Sequence, residues 1–398
     1  MSNLGSMLTL EYGEAMPAEA RSGHGFPVFG SNGEVGRHQK FLIAEPGIIV
    51  GRKGSVGKVT WSDEPFWPID TTYWVKCALE DRRWIYWMLT WLPLARLDTS
   101  TGVPGLNRND VYSLTVHRPG SSERKKIAEV LDTLDTAIQQ TEAIIAKLKA
   151  VKQGLLHDLL TRGIDANGEL RPPQAEAPHL YKESPLGWIP KEWDFLALSK
   201  RLKRITYGFT NPMPTTDDGP WMLTAADISG GRIQYSTARH TSPKAFQQLS
   251  AKSRPELGSV LITKDGTLGR VAVVDQEGLC VNQSVAVLSP LSSTDSIYLS
   301  TFLQSHIGQD RMMADAGGST IRHLYITKLA DMEIPWPSEG EAAQIIVQVS
   351  AMTDRVDLEQ QLLRKLTNEK SGLMDDLLTG RVRVTPLLAE AAQQKGSA

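Results

Sequence analysis

The residues most suggestive of chemistry form a glycine-rich run, Gly51-Arg52-Lys53-Gly54-Ser55-Val56-Gly57-Lys58-Val59. Glycines around a lysine suggest a phosphate-cradling nucleotide loop. Five residues separate Gly51 from Gly57 where such a loop requires about four, and Val59 stands where a magnesium-binding Ser or Thr belongs. A second run, TKDGTLGRV at residues 263–271, has Thr263 for the first glycine and Arg270 for the lysine. Nucleotide binding is therefore rejected for both. What remains is contact with a polyanion: two hairpin turns, one presenting Arg52, Lys53, Ser55 and Lys58, the other Lys264, Thr267 and Arg270. Glycine permits positive φ and close backbone approach, while Lys and Arg neutralise phosphates. One such loop alone would read as an ordinary turn with solvated charges; its recurrence favours contact.

Other polar side chains leave two readings open. Thr71 and Thr72, and Asn282, Gln283 and Ser284, lie amid strand residues and read either as base-edge donors and acceptors or as cross-strand hydrogen bonds. Ser31 and Asn32 precede Gly33 in a favoured turn pair. Lys200, Arg201, Lys203 and Arg204 form a basic cluster, either a solvated patch or a phosphate contact. A further loop before each long helix, STGVPGL at 100–106 and GSTIRHL at 318–324, adds Ser319, Thr320 and Arg322 as candidates.

Enzyme and metal signatures are missing. His24, His38, His117, His157, His179, His240, His306 and His323 show no ligand spacing, and no HExxH, paired CxxC or GxSxG occurs. Asn211-Pro212-Met213-Pro214 is not the Asn/Asp-Pro-Pro-aromatic motif of an amino-methyltransferase. Cys77 and Cys280 are too few for a disulfide framework or a structural zinc site, and suit a reducing cytoplasm. The expectation is a chain without metal or cofactor of its own. Its tryptophans, Trp67, Trp74 and Trp84 among them, read as packing residues.

The elements that must position these loops come from a duplication. KLKAVKQGLLHDLLT (147–161) recurs as KLTNEKSGLMDDLLT (365–379), and the same offset carries Glu123 to Glu341 and Pro119 to Pro337. Both segments carry apolar residues alternately three and four apart, the seam of a coiled coil. The first seam is Ile127, Leu131, Leu134, Ile138, Thr141, Ile145, Leu148, Lys152, Leu155 and Leu159. The second is Ile345, Val349, Met352, Val356, Glu359, Leu363, Leu366, Lys370, Leu373 and Leu377. The polar interruptions fall in register, which favours the two helices pairing with each other over a coiled coil that merely dimerises the protein. A helix of this length runs roughly 60 Å.

The globular halves repeat more loosely. Gly54, Ser55, Gly57, Lys58 and Val59 align with Gly266, Thr267, Gly269, Arg270 and Val271, and Asp70-Thr71-Thr72 falls opposite Asn282-Gln283-Ser284. Residues 47–50, 260–263, 271–274 and 285–288 are β-rich and bounded by turn formers; 82–92 and 297–307 read as helices. The organisation expected is α+β: two globular α/β halves separated by two long coiled-coil helices in a pseudo-two-fold repeat. The boundaries are 1–121, a helix at 122–162, a polar linker at 163–184, 185–338, a helix at 339–381 and a flexible tail at 382–398. The net charge of −2 is uninformative, since a DNA reader of this charge must segregate its basic residues onto one face. No signal peptide or membrane-length apolar run is present.

Together these features resemble the specificity subunit of type I restriction-modification systems. The resemblance rests on GLLHDLLTRG and GLMDDLLTGRVRV, on SPLGWIPKEWDFLALS (184–199), on GRKGSVGKV and TKDGTLGRV, and on FPVFGSNGEVG (26–36) followed by PFWPIDTTYWV (65–75). It implies two target-recognition domains separated by two antiparallel coiled-coil helices. The whole would be a non-catalytic cytoplasmic reader of a bipartite double-stranded DNA target, docking two modification (methyltransferase) subunits and joined by restriction (translocase/nuclease) subunits. S-adenosylmethionine, ATP and magnesium would then belong to those partners. The second half opens with GWIPKEW, whereas Leu4-Gly5-Ser6 aligns near Leu198-Ser199, so the first domain is expected to lack its opening strand.

Overall fold

The computed structural model describes residues 1–98, 105–314, 316 and 322–389. The chain forms two compact units, one from residues 1–143 with 359 onward, the other from residues 144–358. The long helices Ser121–Thr161 and Glu339–Thr379 explain this interleaving, since each contributes one half to each unit. Every seam position named above is buried or half-buried. In the first unit Leu131 is fully buried and Ile127 nearly so, packed with Leu377 and Leu378; in the second, Ile345 and Val349 pack with Leu156 and Leu159. The helix segments run antiparallel within each unit. In the first, Glu123 meets Arg383 and Asp135 meets Lys370.

The first unit contains a four-stranded antiparallel sheet in the order Leu8–Tyr12, Thr72–Cys77, Gly47–Gly51, Val59–Ser62. Beside it lies a three-stranded sheet of Gly33–His38, Phe26–Gly30 and Trp67–Pro68. The second unit repeats both. Its four strands are Leu202–Tyr207, Val285–Pro290, Val260–Thr263 and Val271–Val273; its three are Arg239–His240, Thr216–Leu223 and Leu279–Val281. Even the parallel pairing recurs, between Phe26–Gly30 and Trp67–Pro68 and between Thr216–Leu223 and Leu279–Val281.

Strands buried on both faces need apolar residues at consecutive positions, which is why Val260–Thr263 reads as a run rather than an alternation. Val260 and Ile262 face the core built on Tyr298, Phe302 and Leu159, while Leu261 faces Leu223 and Val281 of the smaller sheet. Trp84, Trp87 and Trp193 are fully buried, Trp67 and Trp74 are half-buried, and Trp188 is exposed.

Each long helix starts with a glutamate held by an arginine that follows the end of the other helix. Glu123 receives Arg383 through both Nε (2.8 Å) and Nη2. Glu341 receives Arg171, the Trp193 indole (3.0 Å) and the Ile164 amide (2.8 Å). Around this carboxylate, the segment 163–184 read as a polar linker is packed into the fold. Arg171 is buried, Ile164 joins the core, and Tyr181–Ser184 pairs with Gly187–Pro190. The tail is likewise more ordered than expected. Val384 packs into the first unit's core and its carbonyl accepts the Leu388 amide at 3.2 Å, while residues 390–398 lie outside those described.

Three further expectations change. Ser2–Asn3 pairs with Thr115–Val116 as Asp194–Ala197 pairs with Glu333–Trp336, so the first unit keeps a short counterpart of the strand that follows GWIPKEW. The Gly187–Pro190 strand itself, paired with Tyr181–Ser184, has no counterpart there among the described residues. The helix expected at 297–307 runs Ser293–Gln304, with a second, His306–Ala314, beyond a break at Ser305. The match of Asp70-Thr71-Thr72 to Asn282-Gln283-Ser284 is off by one. Gly51 faces Thr72 in the ladder where Thr263 faces Val285, which makes Thr71 the counterpart of Ser284.

Candidate nucleic-acid interface

The two glycine-rich turns are the same structure built twice. Gly54 and Gly57 sit at φ +77° and +76°, Gly266 and Gly269 at +78° and +75°, conformations open to glycine at no steric cost. The amide of Gly57 donates to the Gly51 carbonyl at 2.8 Å, and that of Gly269 to Thr263 at 2.8 Å. The first cation after each strand is anchored at both ends of its backbone. Arg52 N–H donates to Thr71 O (2.9 Å) and its carbonyl accepts from Leu106 (2.8 Å); Lys264 N–H donates to Ser284 O (2.8 Å) and its carbonyl accepts from Leu324 (3.0 Å).

Beside each of these cations stands a half-exposed tyrosine that the loop motifs do not include. Arg52 lies 5.3 Å from the centre of the Tyr12 ring, and Lys264 lies 5.6 Å from that of Tyr207. Both tyrosines end the first strand of the larger sheet and both are followed by glycine. A Cβ on Gly13 would fall 2.3 Å from the Pro68 carbonyl oxygen, and one on Gly208 1.8 Å from that of Val281. The Tyr-Gly pair repeated at the two strand ends was the available signal. Arg108, also unpredicted, approaches Tyr12 at 5.4 Å. Tyr73, beneath them, is pushed up to about 12 by burial and by its neighbour Tyr12.

The predicted residues divide. Lys53, Thr267, Gln283, Lys200, Lys203 and Arg322 are exposed, the last donating to the Met313 carbonyl (2.8 Å). Ser31, Ser55 and Thr71 are half-buried at the first turn. Lys58 and Asn32 are exposed but bonded to each other, Nζ to the Asn32 carbonyl at 2.7 Å and to Oδ1 at 2.9 Å. Arg204 borders an open groove of about 690 Å³ lined also by Tyr207, Phe209, Asn211, Met213 and Lys252. Ser319 and Thr320 fall outside the described residues.

Several candidates are more enclosed than the sequence suggests. Thr72 is fully buried and its hydroxyl donates to the Ile69 carbonyl, because the register places it inside the ladder. Arg201 is half-buried, packing 5.4 Å from the Trp336 ring centre and near Asp295. Arg270 is half-buried and turns its guanidinium to the Ile228 carbonyl (3.2 Å). Asn282 and Ser284 satisfy each other, Ser284 Oγ donating to Asn282 Oδ1 at 2.6 Å and accepting from the Ala225 amide at 3.0 Å.

The second turn differs in charge. Lys264 Nζ pairs with Asp265 at 2.7 Å, and Asp265 also meets His323. Partial burial pushes the Asp265 carboxyl up, but the bonds from Lys264 and His323 outweigh it and hold the carboxyl below its ordinary value. Among the described residues no group of His, Cys, Asp or Glu could hold a metal ion, and no helix is long and apolar enough to cross a membrane.

A family model described as the type I restriction modification DNA specificity domain matches residues 1–150 and 195–368, once over each copy. The chain belongs to that family. Among specificity subunits, the MjaIX subunit of Methanocaldococcus jannaschii is 27% identical over 201 residues, covering 48% of this chain and 45% of the relative. The chain thus aligns with less than half of that relative's length. The EcoBI specificity subunit of Escherichia coli is 23% identical, covering 79% of this chain and 68% of the relative. The crystal structure of the type I restriction-modification S subunit from M. genitalium shares the fold. It has a TM-score of 0.64 at 16% identity and covers 94% of this chain and 95% of its own.

Proposed function

We propose that the chain reads a bipartite duplex sequence, one half-site per globular region, and directs methyltransferase and restriction subunits to it without catalysing a reaction. The observation that carries this reading is the duplicated turn, with its anchored cation and exposed tyrosine, set on twin sheets of identical strand order. Two copies of one scaffold with different exposed side chains suit two readers of unlike half-sequences, as paired modules read half-sites in dimeric readers. In this reading the assembly is cytoplasmic and includes two modification subunits. The partners hold S-adenosylmethionine, ATP and magnesium.

The test is selection of randomised duplexes by the chain assembled with its modification subunits. Two short conserved blocks separated by a fixed unspecified spacer are expected, and exchange of residues 185–338 for those of another family member should change only one block. A single contiguous block, or no enrichment, would refute the proposal.

A further inference from the structure

The duplicated turn is not duplicated in charge. Two guanidinium groups, Arg52 and Arg108, lie within 5.5 Å of the same exposed Tyr12 ring, and among the described residues neither makes an ion pair. Arg52 is held in place by donating from Nε (3.1 Å) and Nη2 (2.6 Å) to the Asp70 carbonyl, which neutralises none of its charge. Like charges gathered on one ring repel each other unless an anion joins them. The ring quadrupole offsets part of that repulsion and leaves the charge at the surface. At the equivalent place in the second unit, Lys264 beside Tyr207 is matched by Asp265, where the first unit has Lys53, and position 326, equivalent to Arg108, is Ile326.

We infer that Tyr12, Arg52 and Arg108 form a phosphate grip on the DNA backbone, and that the counterpart at Tyr207 and Lys264 has given up this role. This rests on the proposed DNA-reading function and deepens it. The first copy anchors through charge that carries no base information. The second has a compensated site, so it contributes little counterion release.

The experiment measures binding of the chain, assembled with its modification subunits, to its selected duplex across a salt series. Each neutralised phosphate contributes about 0.9 to the slope of log affinity against log salt; with Arg52 and Arg108 each neutralising one of two adjacent phosphates, Arg52→Gln with Arg108→Gln should reduce the slope by about 1.8. Between 50 and 200 mM salt the variant's affinity should then fall about twelve-fold less than that of the unaltered chain. Lys264→Gln should leave the slope within about 0.3 of its starting value, and Arg52→Lys with Arg108→Lys should keep it. The selected sequence should be the same in all variants. An unchanged slope in the double Gln variant, an equal loss in Lys264→Gln, loss of slope in the double Lys variant, or altered base preference at one position would overturn the grip while leaving the reader intact. Absence of selective binding by the unaltered assembly would overturn both.

Discussion

Removing the Glu341 carboxylate should cost far more than removing its repeat partner Glu123, because of what each deletion leaves behind. Glu341 accepts from Arg171, from the Trp193 indole and from the Ile164 amide, and the Arg171 side chain is only 9% exposed. Glu341→Ala leaves the buried guanidinium only the exposed Glu192 (3.3 Å) and the Arg162 carbonyl (3.2 Å), and strands two further donors, a loss of about 3–5 kcal/mol. Glu123→Ala strands Arg383, whose side chain is 53% exposed and free to hydrate, so the cost should be about 1 kcal/mol. Urea denaturation gives the overall loss, and hydrogen exchange resolved by peptide assigns it, with protection falling across residues 163–193 in Glu341→Ala. Replacing both partners, Glu341→Met with Arg171→Met, should recover part of the loss, since no unpaired charge remains. Equal costs at the two glutamates, or a cost below about 1 kcal/mol at Glu341, would refute the reasoning.

Other consequences follow from the helices. Leu131→Ala, at a fully buried seam position, should destabilise by about 2–5 kcal/mol in the same urea assay. Gly154→Ala and Gly372→Ala, at equivalent helix positions with open space around a new Cβ, should each stabilise by about 0.5–1 kcal/mol. The hydrogen bond from Arg383 holds the Glu123 carboxyl below its ordinary value, so its contribution is full above the ordinary carboxylate range and lost as pH falls through the depressed value. The unaltered chain should therefore lose stability more steeply below about pH 5 than Glu123→Gln, read as Tm against pH. Burial lowers Lys152 despite Asp357 nearby, a shift that penalises its charged form; Lys152→Met should raise Tm at neutral pH, and the gain should shrink as pH rises toward 10.5.

Much of the architecture was legible because it rests on periodicity. The seam follows from spacings of three and four, and the hairpins from apolar runs closed by glycine at positive φ. Contacts made across long stretches of chain were not legible. Arg171 looks like a solvated linker residue until the fold brings Glu341 to it, and no local pattern records that meeting. Thr72 shows the sensitivity of strands to register, since a slip of one residue exchanges the two faces. Composition alone places Thr72 opposite Ser284, whereas the ladder matches it to the buried position of Val285. Tyr12 and Tyr207 are marked in the sequence only by the recurring Tyr-Gly pair, a weaker signal than the charged loops beside them.

The interleaving of the two units also imposes an order on synthesis. Residues 144–358 are continuous, so this unit has its whole core once Leu358 has left the ribosome. The other begins to emerge first yet finishes last, because Leu373, Met374, Leu377, Leu378 and Val384 belong to its core. Until they arrive, Ile127 and Leu131 have no partner from the second helix, and the nascent chain carries an exposed apolar stripe. A chain interrupted between residues 359 and 373 would therefore lose the fold of its first-made part, not its last.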